Sequence, residues 1–179
     1  MKFNLKLAAM LAMTAAMAGS GRLYAADKST AGIQPVTNID LTRYTGRWYE
    51  IARLPNSFEN GLDFVTATYT LKKDGQIDVL NEGMKNGKKS AAHGNARIRD
   101  PKVPAKLSVS FFLWFGADYI IFDLDKTDYQ YALVTSGTKD YLWLLSRTPK
   151  MAPEIYDRLI QSAVSNGFDL TGLITVKQE

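Results

Sequence analysis

The sequence predicts an all-β protein: an eight-stranded antiparallel up-and-down β-barrel with one C-terminal α-helix packed outside it. Three observations carry that expectation. Aromatic residues make up 11% of the 179, with nine Tyr and eight Phe, and such side chains favour strands over helices. From residue 47 onward the chain is a succession of short alternating or apolar runs divided by turn residues. One stretch near the C-terminus then changes to a helical period. Closing hairpin-linked strands into a barrel removes exposed edges and leaves room for about one small ligand. A β-sandwich without a cavity fits the same pattern almost equally well, so the choice between them rests on motifs.

The first four runs are 47–54, 63–71, 76–84 and 89–99. Asp74-Gly75 and Asn86-Gly87 lie between successive runs and accept the positive φ of tight hairpins. The segment 100–105 holds Pro101 and Pro104, which suit a connection and would interrupt a ladder. The next four runs are 106–112, 118–125, 129–136 and 140–147. A helix is expected over 153–166, where Pro153 suits the first position and Glu154 complements the helix dipole. Ile155, Leu159, Ala163 and Val164 give it an apolar face, and Asn166-Gly167 stops it. Leu173 to Val176 is a candidate ninth strand. No repeat, low-complexity tract or second domain boundary appears.

The N-terminus reads as an export signal. Lys2 and Lys6 precede an uncharged run from Leu7 to Ala18, too short for the ~20 residues that span a bilayer. Small residues offer cleavage after Ala18 or Ala25; the alternatives are an uncleaved anchor or a plain N-terminal helix. Residues 1–25 are set aside as signal peptide, 26–40 as an extended polar leader, and 41–179 as the barrel domain. Removing 1–25 takes Lys2, Lys6 and Arg22 and no acid, so a formal charge of +4 falls to +1. A near-neutral domain gives little reason to expect nucleic acid as a partner.

Three short motifs break the tie in favour of the barrel. Gly46-Arg47-Trp48-Tyr49-Glu50 opens the first strand, Thr127-Asp128-Tyr129 precedes Tyr131-Ala132-Leu133-Val134, and Arg147 ends the eighth strand. Their order and spacing resemble the three signatures of the lipocalins. Trp48 to Arg53, Phe58-Glu59-Asn60-Gly61, Val65 to Tyr69 and Tyr141 to Pro149 are similar to the branch that holds the bacterial lipocalins and apolipoprotein D. The resemblance runs from about Val36 to the C-terminus. It implies that Trp48 plugs the closed end of the barrel with Arg147 lying across its ring, a cation–π contact of ~0.5–2 kcal/mol.

The resemblance also implies a ligand cavity lined by Tyr69, Asn81, Phe111, Tyr119 and Trp143, which an ordinary core would also accommodate. Period-two counting from Arg147 turns Leu145, Trp143 and Tyr141 inward, and Leu107, Val109 and Phe111 share one face. Leu54 to Leu62 is the expected lid loop, whose Phe58 covers a ligand or packs beneath it. Phe112, Leu113, Trp114 and Phe115 suit transient contact with a membrane or partner, and equally a fold back over the mouth. The expected ligand is a hydrophobic small molecule, a fatty acid or lysophospholipid, held by a monomer or homodimer without any cofactor or metal.

Other classes find less support. The chain has no cysteine, so thiolate nucleophiles, disulfides and a lipid-modified N-terminal Cys are excluded. The resemblance then implies a soluble periplasmic or secreted protein, with outer-membrane placement in doubt. Catalysis is not expected: the single histidine, His93, has Ala91, Ala92 and Gly94 around it. The same residue is the one candidate axial ligand for a haem-binding alternative. Action through protein contact, with the lumen filled by side chains, is the remaining alternative. Asp123 and Asp125 share one strand face and are expected to point to solvent.

Overall fold

The computed structural model describes residues 29–30, 32–111 and 116–179. The expected signal segment 1–25 and the apolar run 112–115 lie outside the described residues. The elements are α1 (Leu41–Tyr44), β1 (Gly46–Arg53), β2 (Asp63–Leu71), β3 (Ile77–Lys85), β4 (Lys88–Ile98), β5 (Lys106–Ser110) and β6 (Ala117–Leu124). They continue with β7 (Tyr131–Ser136), β8 (Thr138–Ser146), α2 (Pro153–Ser165) and β9 (Ile174–Thr175).

Each of the strands β1 to β8 pairs antiparallel with the next, and β1 also pairs with β8, so the barrel closes. Glycine supplies the turns that closure needs: Gly75 and Gly87 have φ of +80° and +73°, as their hairpins require. The two-residue β9 adds to the outer side of β1 through Ala52 and Arg53.

Alternation sorts the apolar residues into two cores. Trp48, Tyr69, Val79, Leu107, Ile121, Val134 and Leu145 point into the barrel. Ile51, Ile120, Phe122, Leu133 and Leu144 point outward and are covered by α2 through Leu159 and Ala163, with Phe168 stacked on Phe122 at 5.4 Å. Val164 departs from the expected helix face: it is 51% exposed, because five residues beyond Leu159 lies well off the stripe that faces the barrel. Asp123 departs as well. It is turned to α2, where it accepts from both terminal nitrogens of Arg158 at 3.0 and 3.2 Å and from Ser162 Oγ at 2.6 Å. Asp125 caps the next turn, accepting from the backbone of Thr127 and Gln130.

Boundary differences have local causes. β7 begins at Tyr131 rather than 129, because Tyr129 sits in the turn at a φ of +57° with its N–H on Asp125 O. The four-residue α1 escaped the sequence pattern; Asp40 caps it by accepting from Thr42 N at 2.9 Å. Ahead of it, Ile33 and Val36 pack on the barrel, and Val36 N–H donates to Ile121 O at 2.9 Å.

The closed end lies where β1 begins. Trp48 is fully buried there and donates from Nε1 to Tyr44 O at 2.8 Å. Arg147 lies over the indole at 3.8 Å and donates to four carbonyls: Tyr129, Arg47, Arg43 and Tyr44. One guanidinium thus ties α1, β1 and the turn before β7 across the plug.

Candidate functional site

Above the plug the lumen is not filled. It holds a cavity with about 690 Å³ of empty space, open mouth included. Its walls come from inward positions on most of the strands and from the loop between β1 and β2. Tyr69, Asn81, Phe111, Tyr119 and Trp143 all line it, so one space brings together the five residues singled out in the sequence.

The deep end is phenolic. Tyr119 sits between two tyrosines, with its hydroxyl 2.7 Å from that of Tyr44 and 2.8 Å from that of Tyr69. Burial pushes all three phenols above their usual range, so the chain is uncharged at neutral pH. Phe111 reaches the lumen because Gly94 stands beneath it: a Cβ at Gly94 would lie 2.7 Å from the Phe111 ring and 2.6 Å from Ser110 O.

The mouth is aromatic. Phe58 of the lid loop stacks on Tyr141 at 6.0 Å, and Tyr141 on Trp143 at 6.0 Å. The loop is fastened to the wall in two places. Trp143 donates from Nε1 to Glu59 Oε2 at 2.9 Å, while Arg53 donates from Nη2 to the carbonyls of Glu59 and Leu62. Within the loop, Asn56 donates from Nδ2 to the same Glu59 Oε2 at 2.6 Å.

Three charged residues at this level were not foreseen. Glu50, Arg53 and Glu59 are all buried, with Arg53 Nη1 donating to Glu50 Oε1 at 2.7 Å. Strict alternation would put Arg53 on the opposite face from Glu50. A register shift between Glu50 and Ala52 returns it to the inner face, where it pairs with Trp143. The signal available in sequence was Ile51-Ala52, two adjacent apolar residues that break the period. Burial, and then the neighbouring Glu59 carboxyl, push Glu50 well above the ordinary carboxylate range, against the pull of Arg53.

His93 does not belong to this site. It is exposed on β4, paired with the outward Leu80, and does not line the cavity, so a haem there would find no histidine.

A plugged eight-stranded barrel with an open lumen and an outer helix has close counterparts among known proteins. Residues 39–178 match the family described as a lipocalin-like domain. The chain belongs to the lipocalin family. Among its relatives within that family, an outer membrane lipoprotein, Blc, of Vibrio cholerae is 43% identical over 149 residues, covering 82% of this chain and 87% of the relative. Apolipoprotein D of Mus musculus is 39% identical over 151 residues, covering 79% of this chain and 78% of its own length. The solved structure of insecticyanin from Manduca sexta, at 23% identity, superposes with a TM-score of 0.66 over 81% of this lipocalin and 84% of its own chain, a likeness of fold.

Proposed function

We propose that this lipocalin is a carrier that binds, stores or transports a single-chain amphiphile, a fatty acid or lysophospholipid, in the barrel lumen. The observation that carries the reading is the cavity itself: apolar and aromatic walls, a sealed phenolic floor, and a mouth under a fastened lid. Burying the acyl chain supplies the affinity, at ~0.8 kcal/mol per methylene, before ordering and association costs reduce it. Lid opening would admit the chain, and Trp143 and Phe58 would then close over it.

The relatives named outer membrane lipoproteins support an exported protein of the cell envelope. With no cysteine to carry a lipid, this chain would be soluble there, in the periplasm or secreted. Family membership supports binding rather than catalysis as its role.

Mass spectrometry of lipids extracted from the natively purified protein, with titration by a fluorescent fatty acid, tests the reading. Stoichiometric acyl lipid that the probe displaces is the expected result. A lumen that yields no lipid and refuses the probe would overturn it.

A further inference from the structure

The floor of the lumen holds one hydroxyl hydrogen more than its own groups can use. Tyr44, Tyr119 and Tyr69 form a chain of three hydroxyls joined by two contacts, at 2.7 and 2.8 Å. Each hydroxyl has one hydrogen to donate. Two of them serve the chain, and the third finds no acceptor among the described residues, whichever way the chain runs. Hydroxyl hydrogens rotate, so an acceptor in the lumen would draw the spare one to Tyr69 or Tyr119, which both line it. Burial keeps these phenols protonated.

An acceptor on the adjoining rung is unmatched too. Asn81 Oδ1 is sealed from solvent with no donor, on a side chain that lines the same lumen. Tyr69 pairs with Val79 and Ala67 with Asn81, so Asn81 is the diagonal neighbour of Tyr69, one inward step nearer the mouth. Its partners on either side, Ala67 and Ala92, end in methyls and leave space around the amide. The other unmatched buried atom among the described residues, Arg53 Nε, belongs to the mouth, where Arg53 pairs with Trp143 and does not line the cavity. A buried donor and a buried acceptor left unpaired each cost free energy until a partner reaches them.

We propose that the lumen takes acyl chains that carry a hydroxyl at their buried end, with that oxygen accepting from Tyr69 or Tyr119 and donating to Asn81 Oδ1. The inference rests on the carrier reading and narrows its ligand to an oxygenated chain, leaving the headgroup class as it stands. A hydroxyl fits because it both donates and accepts, as the two unmatched groups require; a ketone or an ether only accepts. The headgroup stays at the open mouth. A carboxylate carried to the floor would lose its water among neutral phenols, with no Lys, Arg or His among the described lining residues. From Val65, packed against Leu62 of the lid loop, down to Tyr69 is ~13 Å along β2 at ~3.3 Å per residue, close to the length of an extended dodecanoyl chain. In a wholly apolar lumen the same hydroxyl would be a penalty, because it would give up water for nothing.

Competition for a fluorescent fatty acid on the full chain at neutral pH tests this, using dodecanoate, ω-hydroxydodecanoate and α-hydroxydodecanoate. The ω-hydroxy acid should bind about threefold or more tightly than dodecanoate. The α-hydroxy acid, whose hydroxyl stays at the mouth, should match dodecanoate. Asn81→Leu, close in size and unable to accept, should abolish the preference for the ω-hydroxy acid or reverse it, and displacement by dodecanoate reports that the variant is folded. An ω-hydroxy acid that binds no better than dodecanoate would overturn the proposal and leave the carrier reading standing; equality is what a water already serving both groups would give. The proposal falls equally if the α-hydroxy acid shows the same gain, or if the gain survives Asn81→Leu. The wild-type series decides without any variant. Failure of all three acids to displace the probe would remove the carrier reading and this proposal together.

Discussion

Single residues divide into those that hold the barrel shut and those that shape its lumen. Trp48 and Arg147 are of the first kind, and their signatures were legible because plug and cover need those two side chains at fixed strand ends. Trp48→Ala removes a fully buried indole and uncovers a guanidinium bound to four carbonyls, so urea unfolding should show a loss of ~3–5 kcal/mol. A variant as stable as the parent would sink the plug role. Trp143 is of the second kind. Trp143→Ala deletes cavity wall and the donor to Glu59, so ligand affinity should fall about tenfold or more while the circular dichroism of the barrel is retained. Unchanged affinity would place the ligand elsewhere. Gly94 shows what a pattern of apolar residues hides: its role is the absence of a side chain beneath Phe111. Gly94→Ala should displace that ring, cost ~1–3 kcal/mol and alter ligand affinity; if stability and binding both hold, the close approach is relieved by other means. Tyr69, Asn81, Phe111, Tyr119 and Trp143 were named from resemblance and line one cavity. Glu50, Arg53 and Glu59 were missed because a bulge and a loop, neither of which has a fixed period, bring them together.

At the scale of elements, strands were legible where one face is buried and the other is not, since a one-residue slip would exchange the faces. The hairpins at Gly75 and Gly87 were legible for a separate reason, their need for positive φ. Less legible were elements defined by contacts distant in sequence. The helix α1 is a single turn, shorter than any periodic signal, and exists because Asp40 caps it and Arg147 holds its last carbonyls. The docking of α2 was foreseen as an apolar face, but not its polar anchor on Asp123. That anchor gives a graded prediction. Asp123→Ala strands Arg158 and also leaves Ser162 Oγ without its 2.6 Å acceptor, whereas Arg158→Ala leaves the serine bond in place. The arginine is 44% exposed, so its loss should cost no more than ~1 kcal/mol, and the aspartate substitution should cost more. Equal values from urea unfolding would mean that Ser162 contributes nothing to holding the helix.

For the whole molecule, closure sets both the stability and the use of the lumen. A barrel without cysteines relies on its ladders, its plug and its two packed cores, and it retains an unfilled space above the plug. The buried carboxyl pair in that space makes stability depend on pH in a direction that can be worked out. Glu50 faces Glu59 from the lid loop and Arg53 from its own strand, with Tyr69 and Tyr119 also on the cavity wall. Its pKa in the folded barrel is raised well above 4.5, its ordinary value, which the unfolded chain regains. The folded state therefore holds the proton more tightly. Its contribution to stability is fully present below the ordinary value, and is lost as pH rises through the raised one. Glu50→Gln keeps an acceptor for Arg53 but cannot titrate. Measured as urea midpoints between mildly acidic and mildly alkaline pH, the stability of the Gln variant should gain on the parent as pH rises. Within the window the gain should be at most ~1.4 kcal/mol for each pH unit. The slope is the informative quantity, because any fixed penalty of the amide shifts the whole curve without tilting it. Parallel curves would mean that Glu50 ionises normally in the folded barrel.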